Sequence, residues 1–362
     1  ASDQMRTIFL NKKNTIGDIG EPRRGLQTGK ASKFVRSWFE VNCNTINHFT
    51  RDKLKARWYL FNNGGVQRKW YGNVLDVVLW ENNGEKIKKF DGSIIPNEHL
   101  YFKKSITWNK ITSVSISSRI NMTSFLQGDA SPFLYLQDDF EFYLGLLNST
   151  VVDSMLKIIN PTLNYQVSDI GKIPLLDFKE LDKSKITSLV KENVAISRLD
   201  WDSFETSWGF VQHPLIKFKE KKDLIKIAFN NWKKETDCRF KKLKDNEQIL
   251  NKIFINLYGL EGELTHIVKD NNITISRADL ERETKSFLSY YIGCVTGRYS
   301  LDVEGLVYAG GEFDELKYKT FKPNPDGLIL LTDDHYFEND IIVRLREFLS
   351  VAFSPDTVDE NM

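Results

Sequence analysis

The pattern of apolar and polar positions changes character along the chain. Between residues 6 and 135, short apolar runs alternate with dense turn punctuation: Asn63-Gly64-Gly65, Tyr71-Gly72-Asn73, Asn82-Asn83-Gly84 and Asp91-Gly92. Glycine and asparagine cluster in this way where the backbone must reverse, because both tolerate left-handed conformations. The runs at 74–80 and 111–116 read as β-strands between those turns. From 138 to 159 the spacing becomes helical, with Leu144, Leu147, Val151, Met155 and Ile158 on one face. Pro161 and Pro174 then bracket a closing segment.

Beyond residue 178 the pattern is mostly helical. Ile186, Leu189 and Val190 fit one short helix, and Leu250, Ile253, Phe254 and Leu257 recur at helical spacing before Gly259, which sits where a C-terminal cap would. Ser276-Arg277-Ala278-Asp279 has the spacing of a capping box. Leu280, Phe287, Leu288, Tyr291 and Val295 continue that helix to Gly297, and a last helix is predicted near 338–349. A chain of 362 residues is too long for one ordinary core. The expected fold class is mixed α/β. An antiparallel-rich domain over 1–177 is followed by a helical spacer over 178–264 and a small α/β region over 265–362.

Charge changes this picture. The net charge of +1 hides an asymmetry: residues 1–122 carry 21 Lys+Arg against 10 Asp+Glu, a net of +11, and the remainder carries 29 against 39, a net of −10. A basic half joined to an acidic half points to a polyanion partner for the first. Five of the eight tryptophans, Trp38, Trp58, Trp70, Trp80 and Trp108, lie in that basic half. Cations interleaved with aromatics suit a nucleic acid, through phosphate neutralisation and stacking, although tryptophans equally build cores. At least two of Trp70, Trp80 and Trp108 are expected in the core. No apolar run reaches the roughly 18 residues of a membrane helix, so no membrane partner is expected. Cys43, Cys238 and Cys294 are odd in number and far apart, which suits buried thiols in a reducing, cytoplasmic setting. The chain begins with Ala1, as a processed protein or a piece of a longer one would.

Catalytic chemistry is hard to place. His48, His99, His213, His266 and His335 share no ligand spacing with one another or with a cysteine, so structural roles are expected and no metal site. Asp302, Glu315 and Lys317 have the residue types of a magnesium-dependent nuclease, but such triplets arise by chance in a chain this charged. Ala309-Gly310-Gly311 is too short for a cofactor-binding glycine loop and reads as a turn. No serine or cysteine has a partner that marks it as a nucleophile.

Several longer strings resemble a known family. The stretch Thr15-Ile16-Gly17-Asp18-Ile19-Gly20-Glu21-Pro22-Arg23-Arg24-Gly25-Leu26-Gln27-Thr28-Gly29, followed by Phe34 and Arg36, resembles the opening of a methyltransferase target-recognition domain. Leu147-Asn148-Ser149, Asn160-Pro161-Thr162-Leu163-Asn164-Tyr165-Gln166-Val167, Asp169-Ile170 and Ile173-Pro174 resemble its close. Between them, Lys69-Trp70-Tyr71-Gly72-Asn73, Trp80-Glu81-Asn82-Asn83-Gly84 and Ile106-Thr107-Trp108-Asn109-Lys110-Ile111 are similar to PglX, the adenine methyltransferase family of BREX phage-defence systems. Downstream, the strings at 200–208 and 297–302 match the same family. The resemblance implies a parent enzyme that uses S-adenosylmethionine to methylate adenine N6 within a short asymmetric site, together with other BREX proteins. It also implies the absence of the catalytic core. An Asn/Asp-Pro-Pro-aromatic loop is needed to hold a flipped adenine. The nearest strings, Asn160-Pro161-Thr162-Leu163 and Asn324-Pro325-Asp326, lack the second proline and the aromatic. The chain is therefore expected to bind no cofactor and to be inactive alone.

The partner expected is double-stranded DNA. Candidate contacts are Arg23, Arg24, Gln27, Thr28, Lys33 and Arg36 on a glycine-rich bend, Arg68 and Lys69 beyond the Asn63-Gly64-Gly65 turn, and Thr107, Lys110 and Arg119 around a strand. Glycines let a backbone approach phosphate closely. The bland alternative is a structural turn and a solvated hairpin rim. A second function class is a protein-interaction scaffold, in which the acidic half docks other defence components or a phage inhibitor.

Overall fold

The computed structural model describes residues 2–50, 55–112, 114–178, 181–220, 224–332, 337 and 340–362. The chain folds as two compact units, one of residues 1–198 with 241–275 and one of residues 199–240 with 276–362. The recognition domain expected over 1–177 lies wholly in the first. The stretch 178–264 is shared between the two.

The first unit contains ten strands among its described residues: β1 (Asn14–Thr15), β2 (Glu21–Arg23), β3 (Val35–Ser37), β4 (Trp58–Asn62), β5 (Asp76–Leu79), β6 (Ser105–Trp108), β7 (Ser118–Asn121), β8 (Leu126–Gln127), β9 (Phe133–Tyr135) and β10 (Pro174–Leu175). They form one two-stranded sheet, β1-β10, and two four-stranded sheets in the orders β2-β9-β6-β7 and β3-β5-β4-β8. Every ladder is antiparallel except β4 with β8. The run at 74–80 supplies β5, as its alternation predicts. Among its described residues the run at 111–116 does not form a strand. Ile111 and Val114 are exposed, and Thr112 N–H donates to the Leu163 carbonyl across a loop. The pairing stops at one isolated antiparallel bridge, Ile111 with Asn164, and does not extend into a ladder.

All four residues of β6 are buried. Ile106 and Trp108 fill one face, whereas Ser105 and Thr107 face inward with their hydroxyls bonded. Thr107 Oγ1 donates to the Pro132 carbonyl at 2.9 Å, and Ser105 Oγ accepts from Asn121 and Gln127. Trp70, Trp80 and Trp108 are all in the interior. The helical stretch after 138 is two helices, Phe140–Leu147 and Thr150–Ile159, bent by 66°. The break falls at Asn148, whose side chain clamps β7 by accepting from Ser118 N–H and donating to Ser118 C=O, both at 2.9 Å. Ser149 then caps the second helix. Leu144, Leu147, Val151 and Met155 are buried as predicted, but Ile158 is partly exposed.

The helix Ile225–Leu257 contributes residues to both units. It ends at Gly259, which holds φ +64° while Leu260 N–H closes onto the Ile255 carbonyl at 2.9 Å.

The second unit packs around the helix Leu280–Val295. Phe287, Tyr290, Tyr291 and Cys294 meet Phe348, Leu349 and Ala352 of the helix Ile341–Ala352. Asp279 caps the first of these helices by accepting from Arg282 N–H; Ser276 lies three residues ahead of that cap, and its N–H donates to Asp200 Oδ1 at 2.9 Å. The final helix begins slightly later than the spacing predicted, and residues 338–339 lie outside the described ones. Among the described residues no single helix is long and apolar enough to cross a membrane.

Candidate nucleic-acid interface

The structure separates the candidate cations into two groups. Arg68, Lys69, Thr107 and Arg119 are buried. Arg119 projects from β7 with 0% exposure and donates to Asn109 Oδ1 (2.9 Å), Asn62 Oδ1 (3.1 Å), Ser131 Oγ (3.3 Å) and the Gly64 carbonyl (3.4 Å). Asn62 belongs to β4, so this guanidinium ties one four-stranded sheet to the other. These four acceptors are all neutral oxygens, and burial pulls its pKa down to about 9, still cationic at neutral pH.

The Arg68-Lys69 pair, expected on a solvated rim, is an internal joint. Arg68 donates to the carbonyls of Tyr71 (2.8 Å), Ser197 (3.1 Å) and Thr274 (3.3 Å). Lys69 Nζ lies 2.9 Å from Glu247 Oε2, and Trp70 Nε1 donates to Glu247 Oε1 at 2.8 Å. Glu247 comes from the long helix and is itself 3% exposed. These side chains are taken up in fixing the loop to the helices, which removes them from any solvent-facing contact set. Thr28 is buried as well.

The second group faces solvent on the bend after β2. Gly25 passes so close to the strand beside it that a Cβ there would sit 2.2 Å from the Gln127 carbonyl oxygen. That approach lets Leu26 N–H reach the Gln127 carbonyl at 2.8 Å and Asp129 N–H reach the Leu26 carbonyl at 3.0 Å. Gln27 exchanges both backbone bonds with Ile94 at 2.9 Å. Gly29 then turns at φ +70° into the short helix Ala31–Phe34. Phe34 is buried edge-on to Phe90, and Lys33 Nζ rides over both rings at 5.2 and 4.9 Å. Arg36 donates to the carbonyls of Ser32 and Val35. Arg23 pairs with Glu21 at 2.9 Å. Among the described residues, Arg24, Lys30, Lys33 and Arg36 form no ion pair. The neighbouring 81–98 segment differs: Lys86 and Arg57 share Glu81, and Lys88 pairs with Glu98. Part of the basic excess of the sequence therefore surfaces on this bend, as cations that form no ion pair among the described residues.

Lys110 lies in the same neighbourhood but is compensated. Its Nζ meets Asp129 Oδ2 at 2.8 Å. Burial pushes the Asp129 carboxyl up, yet bonds from Lys110 and Gln27 and the charges of Lys110 and Arg24 outweigh it and hold the group below its ordinary value. Sequence reasoning missed Lys30, Asp129 and Glu247. Lys30 was legible beside Gly29, whereas the two acids become meaningful only through distant partners.

Elsewhere the side chains are structural. His213 Nδ1 accepts from Leu215 N–H at 3.2 Å, which places the ring proton on Nε2, facing Ser286 Oγ at 2.7 Å. A histidine in that tautomer donates to the serine and cannot take its proton. Asp302 accepts from the amides of Lys319 and Thr320, while Lys317 lies beside Asp314. His335 lies outside the described residues. Among those described, no group of three or more metal-type side chains gathers.

No family model matches the chain. Over 384 aligned residues it is 40% identical to the adenine-specific methyltransferase PglX of Lacticaseibacillus casei (strain Zhang), covering all of this chain and 31% of that protein. The whole chain is similar in sequence to about a third of PglX. It is also 31% identical over 366 residues to the adenine-specific methyltransferase BrxX of Escherichia coli (strain HS), covering 94% of this chain and 30% of the relative. It thus spans about a third of the length of these two proteins. Among solved structures it is similar to the Type IIL restriction-modification enzyme MmeI in complex with DNA, at 12% identity and a TM-score of 0.42, over 70% of this chain and 35% of that one. The PglX resemblance seen in the motifs of residues 15–174, 200–208 and 297–302 therefore extends along the entire chain.

Proposed function

We propose that this chain is the duplex-recognition part of an adenine-specific DNA methyltransferase of the PglX kind. In that reading the parent enzyme uses S-adenosylmethionine, methylates adenine N6 at a short site in the cytoplasm and marks DNA for BREX phage defence. Catalysis belongs to parts of the parent other than these residues, because this sequence holds no Asn/Asp-Pro-Pro-aromatic loop. The observation that carries the proposal is the set Lys30, Lys33 and Arg36, cations without an ion pair among the described residues, on a bend built by Gly25 and Gly29. Exposed cations without carboxylates release counterions when they meet phosphates, and a glycine-built backbone allows close approach.

The test is the affinity of the purified chain for a labelled duplex across a salt series. Each neutralised phosphate contributes about −0.9 to the slope of log affinity against log salt. Lys33→Ala is expected to make the slope shallower by about 0.9 while leaving thermal melting unchanged. A slope near zero for the wild type, or an unchanged slope for Lys33→Ala, overturns this placement of the DNA.

A further inference from the structure

Four segments of the first unit meet around one ion pair. Lys110 N–H donates to the Ala130 carbonyl at 3.1 Å, Asp129 N–H to the Leu26 carbonyl at 3.0 Å, and Tyr165 N–H to the Lys110 carbonyl at 2.8 Å. At this convergence the Lys110 and Asp129 side chains are paired at 2.8 Å and remain 28% and 20% exposed. Resting on the DNA-recognition proposal above, we infer that Lys110 reads one guanine in the major groove, donating to its O6 and N7, and that Asp129 is the positioning residue that aims it.

Charge separates this lysine from its neighbours. Lys30, Lys33 and Arg36 have no ion pair among the described residues, so a phosphate meets charges that no carboxylate offsets, whereas the Arg24 charge is felt by Asp129. The Lys110–Asp129 pair is nearly neutral, and its attraction for a phosphate is offset by the aspartate. It suits neutral acceptors better. An ammonium has three N–H donors, and Asp129 engages one. The remaining two match the adjacent O6 and N7 acceptors that only guanine presents in the major groove. Pinning by Asp129 also removes rotamer freedom before DNA arrives, so less is lost on contact. The flanks agree: Ile111 and Leu163, joined through their loop by the Thr112 bond to the Leu163 carbonyl, are 71% and 56% exposed. Apolar side chains suit the carbon atoms of base edges and do nothing for phosphates.

The experiment is selection of bound sequences from a randomised duplex library by the purified chain, followed by affinity measurements across salt on the selected duplex. The wild type is expected to enrich a motif containing a G·C pair at a fixed position. Lys110→Gln is expected to lose about 5- to 150-fold of preference at that one position while keeping the rest of the motif and the same salt slope. Lys110→Arg, which keeps the donor pair, retains the guanine preference. Asp129→Asn is expected to weaken the preference and steepen the slope by up to about 0.9, because the released lysine now attracts phosphate. Thermal melting of each variant confirms folding, and if Asp129→Asn fails to fold, the two lysine substitutions decide the matter. Lys110→Gln enriching the wild-type motif at every position, or a slope shallower by about 0.9, overturns the inference and makes Lys110 a phosphate contact. DNA recognition itself then still stands on the Lys33→Ala slope. A wild-type chain that binds no duplex, or enriches no motif, removes both.

Discussion

Lys69→Met discriminates most sharply between a DNA-facing and an internal lysine. On a solvated rim, this substitution weakens DNA binding and leaves stability alone. The structure dictates the reverse. Lys69 and Glu247 form a pair at 2.9 Å in which the side chains are 9% and 3% exposed. Methionine fills similar volume but leaves the Glu247 carboxylate with the Trp70 indole N–H at 2.8 Å and no cation. Breaking a buried pair from one side costs about 3–5 kcal/mol, because an uncompensated charge stays inside. The first unit has 233 residues. At that size about 1 kcal/mol moves the melting temperature by about 2–4 °C, so a fall of roughly 6–20 °C is expected. Adding Glu247→Gln removes the stranded charge and keeps an oxygen for Trp70 Nε1, so the double variant is expected to regain most of the loss. Differential scanning calorimetry of the three variants, with DNA affinity at fixed salt, is the assay. If Lys69→Met melts within a degree of wild type and binds DNA more weakly, Lys69 belongs to the interface and the internal-joint argument is wrong.

Two more expectations concern the scaffold. Burial lowers the His213 pKa to about 3, against about 6.5 when unfolded. The sign follows: the fold's preference for neutral imidazole is fully present above pH 6.5 and is lost toward pH 3, at about 1.4 kcal/mol per pH unit within that window. His213→Asn keeps a capping oxygen for Leu215 N–H and does not titrate, so urea unfolding at pH 7 and pH 4 is expected to show a smaller acid loss in the variant; parallel losses would sink the assignment. Gly25→Ala forces a Cβ to within 2.2 Å of the Gln127 carbonyl oxygen, so the backbone must move. It is expected to lower stability by about 1–3 kcal/mol, as overpacking does, and a melting curve unchanged from wild type would show that the bend has slack.

The elements that sequence showed are those governed by neighbours along the chain. The Leu280–Val295 helix and the ending at Gly259 follow from periodicity and from one glycine's tolerance of positive φ. The unbroken helical spacing through 148 hid a bend, because the Asn148 clamp onto Ser118 is a tertiary contact. The same distinction governs the site. Arg24 and Lys33 are exposed on a bend whose glycines are visible in the sequence. Whether Lys69 faces water depends on Glu247, 178 residues away. Hydrophobic pattern and charge count carry no information about that meeting.

Arg119 shows how such distant contacts bear on recognition. A buried cation with only neutral partners is costly, and a lysine has three donors to the guanidinium's five. The planar fork reaches oxygens from separate segments at once: Asn62 in β4, the Gly64 carbonyl, Asn109 and Ser131. Asn109 directly precedes Lys110, and Ser131 lies two residues beyond Asp129. The guanidinium thus holds the Asn109 and Ser131 side chains, which flank the pair proposed to meet a base. A base contact tolerates displacements of only a few tenths of an ångström before donor and acceptor fall out of hydrogen-bond range. Conformational freedom in either loop would therefore blur discrimination even if overall affinity, carried by the cations on the Gly25–Gly29 bend, stayed intact. On the proposed reading, affinity and specificity rest on different physical devices in the same unit: exposed surface charge for one, and a buried hydrogen-bond hub for the other.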